Sequence, residues 1–194
     1  MTPFAGSSFS VAEAACIVGL SERAVHQEID QKIIRIQRVR GARLMSGTDL
    51  LYLGAVKDLR TFLGTSLRRR IRETIGDAAR VNERLAVVSH FSLDLEIIER
   101  QLVGSLEHLE HVKRDFIESR PDILAGEPVL KGTRIAVHHV ADLMRQGALA
   151  DELSEDLDLT AEQVEAAVTY DRVSPRRGRP VTRKARTTHV SPAG

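Results

Sequence analysis

Ser10-Val11-Ala12-Glu13-Ala14-Ala15-Cys16-Ile17-Val18-Gly19-Leu20-Ser21-Glu22-Arg23-Ala24-Val25-His26-Gln27 is the stretch whose reading decides the fold. Ser10 with Glu13 three residues on forms a capping box, so a helix starts at Val11. Gly19 ends that helix, Leu20 packs inward, and Ser21 caps a second helix from Glu22 to about Gln31. Two capped helices around a Gly-containing turn make a helix-turn-helix. Spacings of three and four place Arg23, His26 and Gln27 on one exposed face of the second helix, beside Ser21 at its start. Arg and Gln suit bidentate contacts with guanine and adenine edges.

Outward from there, Ile33 to Arg38 and Ala42 to Met45 flank a Gly41 turn and read as a two-stranded wing. Arg35, Arg38, Arg40 and Arg43 on it can grip phosphates. Ser46 caps a third helix running to about Phe62, and residues 1–8 carry no pattern and are expected to be disordered. The run Ser10 to Ala15, Gly19 to Val25, and Gly41-Ala42-Arg43-Leu44-Met45-Ser46 before Asp49-Leu50 resembles MerR-type and excisionase-like winged helices. It departs at Val25-His26-Gln27, where an Arg-Tyr-Tyr-like sequence is usual. The resemblance implies a DNA-binding domain over residues 1–62.

Residues 63–119 read as a helical connector. Arg68, Arg69, Arg70 and Arg72 read as part of a charged connecting helix, although Arg68 to Arg70 could touch a DNA backbone. Strand-like alternation follows at Leu85 to Leu95. Leu95, Leu102, Leu109 and Phe116 then repeat every seven residues, with Ile98 and Val112 between, giving an amphipathic helix. Its stripe serves either a core or a dimer seam. Glu107-His108 and Glu110-His111 lack the spacing of a metal-binding His-Glu-x-x-His helix.

The third region, residues 120–171, opens on Pro121-Asp122-Ile123-Leu124-Ala125-Gly126-Glu127-Pro128-Val129-Leu130-Lys131-Gly132-Thr133-Arg134-Ile135-Ala136-Val137. Gly–Pro punctuation around Val129 and Leu130 predicts a short β-ribbon. Lys131-Gly132-Thr133 reverses the order of a phosphate-binding loop, which removes the Lys from the helix start where it would reach phosphates. Three helices follow, the last capped by Thr160. Lys and Arg number 3 against 11 Asp and Glu over residues 121–171. This second helix-turn-helix-like unit would therefore repel phosphates, and self-association through Ile135, Val140, Leu143, Val164 and Val168 is the expected use. The quoted run, with Leu143, Gly147, Leu159-Thr160 and Ala166-Ala167, resembles the domain-of-unknown-function family 433, which is associated with antitoxins. With the winged helix and a basic tail, the chain is similar to VapB-type antitoxins. That resemblance implies a PIN-domain ribonuclease toxin as partner, operator DNA as a second ligand, and a homodimer.

The tail, residues 172–194, holds 7 Lys and Arg and no acid, so it cannot bury a core and is expected to be disordered alone. Arg172, Arg176, Arg177, Arg179 and Arg183 can pair with the carboxylates that hold Mg²⁺ in a PIN nuclease. Alternatively, Arg177-Gly178-Arg179-Pro180 resembles the core of an AT-hook, which inserts Arg into narrow minor grooves. The expected fold class is thus mostly α, with two helix-turn-helix-like units, small β-ribbons and a basic tail.

The 42% hydrophobic content supports a real core, and with aromatics at only 4% that core must be aliphatic. One cysteine, Cys16, excludes an internal disulfide and fits a reducing cytoplasm. No leader or membrane-spanning run is visible. No nucleophile–base constellation is present, and His138 and His139 point about 100° apart on a helix. No catalysis, cofactor or metal is therefore expected.

Overall fold

The computed structural model describes Phe4, residues 6–39 and residues 41–174. Strand β1 (Ser8–Ser10) runs directly into helix α1 (Val11–Val18), and Ser10 serves both. Its hydroxyl accepts the Glu13 N–H at 3.2 Å while the Glu13 carboxylate accepts the Ser10 N–H at 2.8 Å, so two orphan donors are satisfied reciprocally. At Gly19 the chain turns left-handed, with φ +79°, and its N–H closes α1 onto Ala15 and Cys16. Helix α2 (Glu22–Asp30) starts from Ser21, whose hydroxyl accepts the Ala24 N–H. Strands β2 (Gln37–Val39) and β3 (Ala42–Ser46) form the wing, and β1 pairs along the other edge of β3. Ser46 and Asp49 make a second capping box at helix α3 (Gly47–Val56), which ends six residues before the Phe62 that the pattern implied.

Residues 1–8 were expected to be disordered, and this is corrected for the described part. Phe4 is 1% exposed, the Ser7 carbonyl accepts the Gly47 N–H, and Ser8 lies in β1. One buried phenyl ring and one strand residue anchor a segment whose polar composition hides both.

Helix α4 (Thr65–Arg80), the hairpin β4 (Leu85–Val88) and β5 (Phe91–Asp94), and helix α5 (Leu95–His111) complete a first layer. The heptad stripe of α5 faces inward: Leu95, Leu102 and Leu109 are almost fully buried in the cluster that also takes Val25, Leu50, Leu53 and Ile75. A stripe consumed in this way makes α5 a core helix rather than a dimer seam. It meets α3 closely, because Gly54 leaves room for Leu102 and Ile98.

A π-helical turn (Val112–Phe116) leads into β6 (Ile117–Glu118), which pairs antiparallel with β7 (Val129–Leu130). Helices α6 (Val137–Arg145), α7 (Ala150–Asp156) and α8 (Ala161–Val173) enclose a second, smaller core of Leu130, Val137, Val140, Leu153, Leu159, Val164 and Ala167. The α8 helix also packs on α1, and Val173 at its end belongs to the first core. The protein is mostly α with small sheets, as the periodicities implied.

Candidate nucleic-acid interface

Helix α2 divides cleanly into two faces. Val25 and Glu28 are fully buried, whereas Arg23 and Gln27 are exposed and His26 is half-buried. Arg35 is exposed in the segment after α2, and Arg38 stands directly opposite Arg43 across the wing, both exposed. Like charges facing each other across a ladder destabilise it unless an anion lies between them. Among the described residues, none of Arg23, Arg35, Arg38 and Arg43 makes an ion pair, whereas Arg60, Arg68, Arg72, Arg80 and Arg84 all do. Arg69, Arg70, Arg100, Arg134 and Arg172 are likewise exposed without an ion pair among the described residues, so what sets the wing apart is that two of its arginines face each other. Ser21, exposed at the start of α2, has a hydroxyl proton free to donate beyond its cap. Arg40 lies outside the described residues.

What holds α2 in place is a buried polar network that sequence reasoning missed. The Glu28 carboxylate is hydrogen-bonded to the Arg68 guanidinium of α4, accepts the Tyr52 hydroxyl at 2.7 Å and lies 3.8 Å from Arg60. Arg68 donates further to the Leu63 carbonyl and to Gln31. Burial, reinforced by the neighbouring Glu28 carboxylate, pushes the Tyr52 hydroxyl far up, so it stays a donor. Arg60 reaches round to the outer side, donating to the Ala24 carbonyl at 3.2 Å and the Gln27 side-chain oxygen at 2.9 Å. The expectation that Arg68 could touch a DNA backbone is therefore corrected: it is 6% exposed and committed to Glu28, while Arg69 and Arg70 remain exposed. A signal for Glu28 did exist in its position three residues after Val25, on the inward side of α2.

In the third region, Ile135, Leu143 and Val168 are half-buried, but Val140 and Val164 are 0% and 1% exposed inside the small core. Those two were expected at a dimer seam; their side chains instead hold one chain together. Asp171 lies near the end of α8. It is buried, hydrogen-bonded to His138 Nδ1 of α6 and paired with Arg145 at 2.8 Å. Arg172, exposed at the end of α8, borders a groove shared with Leu20, Ser21 and Glu22 of the α1–α2 turn. Arg176, Arg177, Arg179 and Arg183, and the Arg177-Gly178-Arg179-Pro180 motif, lie outside the described residues. Among the described residues, no cluster of three or more His, Cys, Asp or Glu is placed to hold a metal ion. No helix there is long and apolar enough to cross a membrane.

Residues 117–170 match the family model described as "Protein of unknown function (DUF433)", so the chain carries a domain of that family. The match begins at β6, whose pairing with β7 closes the module. Over 193 residues the chain is 28% identical to "Uncharacterized protein y4eO" of Sinorhizobium fredii, covering 91% of this chain and 86% of that one. The X-ray crystal structure of Rv2018 from Mycobacterium tuberculosis aligns over 82% of this chain and 96% of its own, with 16% identity and a TM-score of 0.35.

Proposed function

We propose that the chain is a DNA-binding antitoxin of the VapB type. In this reading its MerR-like winged helix represses its own operon, and its basic C-terminal segment inhibits a PIN-domain ribonuclease in the cytoplasm. The observation that carries the DNA arm is the set of exposed arginines on α2 and the wing, which make no ion pair among the described residues. A duplex supplies the missing anions: Arg38 and Arg43 would take phosphates while α2 enters the major groove. The toxin arm is supported by the DUF433 match together with the acid-free segment after α8. Two chains on a palindromic operator would follow from having one recognition helix per chain.

Binding to DNA from upstream of its own gene, measured by fluorescence anisotropy across a salt series, tests the first arm. Arg38→Ala and Arg43→Ala should each weaken binding to all sequences alike and lower the salt slope by about one. Unchanged affinity and slope in both variants would remove the wing from the interface. Copurification with the product of the adjacent reading frame, followed by intact-mass analysis, tests the second arm. A chain that always purifies alone sinks it and favours a stand-alone regulator with an AT-hook-like tail.

A further inference from the structure

The side chain of Gln27 is held rather than free. Arg60 donates to its amide oxygen at 2.9 Å, and because a guanidinium has donors only, that atom must be the oxygen and not the nitrogen. Arg60 is itself fixed, since it also donates to the Ala24 carbonyl at 3.2 Å and lies 3.8 Å from the buried Glu28 carboxylate. Gln27 is exposed on the outward face of α2, so its oxygen is turned toward the protein and its amino group is the end left to meet a ligand.

Resting on the DNA-binding reading above, we propose that Gln27 is a base-reading residue specific for guanine, and that Arg60 is the positioning residue that makes it so. A free glutamine reads adenine bidentately, accepting from N6–H and donating to N7. Here the oxygen is engaged by Arg60, and an adenine approaching it would bring the N6–H donors up against a group that is itself all donors. The exposed amino group has two N–H donors, and guanine offers two acceptors, N7 and O6, on its major-groove edge. Pinning the amide also removes rotamer freedom before binding, which reduces the ordering cost at the interface.

Enrichment of randomised duplexes with the full-length protein, followed by sequencing, tests this on three forms. Wild type should enrich a motif containing a guanine column with roughly tenfold preference. Gln27→Glu keeps the bond to Arg60 but turns an all-acceptor tip outward, so that one column should switch to cytosine, whose N4 amino group is a donor. Arg60→Ala releases the amide, and the same column should admit adenine. Gln27→Glu alters only an exposed side chain, so it keeps the test open even if Arg60→Ala weakens the fold through Glu28. A wild-type motif whose columns are all unchanged in Gln27→Glu overturns the assignment, as does a Gln27-dependent column that is adenine in wild type. Absence of any enriched motif would instead overturn DNA binding itself, and the assignment with it.

Discussion

Glu28 has no exposed surface, yet it sits on the helix that carries Arg23 and Gln27 outward. Its charge is tolerable only because Arg68 and Tyr52 satisfy it. Arg68→Met should therefore lower stability by about 3 kcal/mol in urea unfolding, because it leaves the buried carboxylate with only the Tyr52 hydroxyl and the more distant Arg60. The double variant Arg68→Met with Glu28→Leu should recover part of that loss; strictly additive losses would mean the two residues do not act as a pair. A second pair, Glu13 and Lys113, ties α1 to the π-helical turn after α5 at 2.6 Å. Burial favours neutral Glu13, but the Lys113 ammonium and the Ser10 N–H outweigh it, and its pKa falls below the ordinary 4.5. Its stabilisation is thus complete above 4.5 and is lost as acid protonates it at lower pH. Burial likewise opposes the Lys113 charge, but Glu13 and Glu110 outweigh it and raise its pKa above the ordinary 10.5. Its share is complete below 10.5 and is lost as the pH climbs through the raised value. Lys113→Met should flatten the fall of the urea midpoint on both the acid and alkaline sides; an unaltered pH profile would show the pair to be inert. The capping box at Ser10 and the caps at Ser46 and Thr160 were legible in the sequence because a cap and the groups it bonds lie within three residues. The partners of Glu28 were not, since Tyr52 and Arg68 lie 24 and 40 residues away.

Among the elements, periodicity told which face of α5 is apolar but not what covers it. A heptad stripe specifies a buried surface, and a core and a dimer seam satisfy it equally. Leu102 against Gly54 of α3 settles the matter for one chain. The N-terminal strand was illegible for the opposite reason, since three residues of Ser-Phe-Ser hold too little pattern to count. Its anchor offers a sharp test. A Cβ on Gly47 would lie 2.1 Å from the Phe4 carbonyl oxygen, so Gly47→Ala must push the segment off α3. Alanine favours the helix itself, so any loss reports on Phe4 rather than on α3. The expected loss is about 1.5–3 kcal/mol, the worth of burying a phenyl side chain. Removing residues 1–7 should cost a similar amount, and the two changes should not add. Additive losses would place the strain elsewhere in α3.

Across the whole molecule, α8 joins the two cores: Ala167 lies in the small one, and Val173, at 8% exposure, in the large one. The basic segment was legible from charge alone, whereas the end of α8 was not. Composition changes after Asp171, but α8 continues through Arg172 and Val173 before ending at Ser174. A chain cut after Asp171 should therefore lose about 1.5–3 kcal/mol through the missing valine. A chain cut after Ser174 should unfold at the same urea concentration as the full-length protein. Only the second cut separates function from folding. If the basic segment inhibits the nuclease, the chain 1–174 should bind operator DNA as before and leave the ribonuclease fully active. If it serves the minor groove instead, the same chain should lose DNA affinity and salt slope. Full inhibition together with full DNA affinity would remove the segment from both roles. It would return attention to Arg172, which stays in the chain 1–174 beside Ser21 and Glu22 at the start of α2.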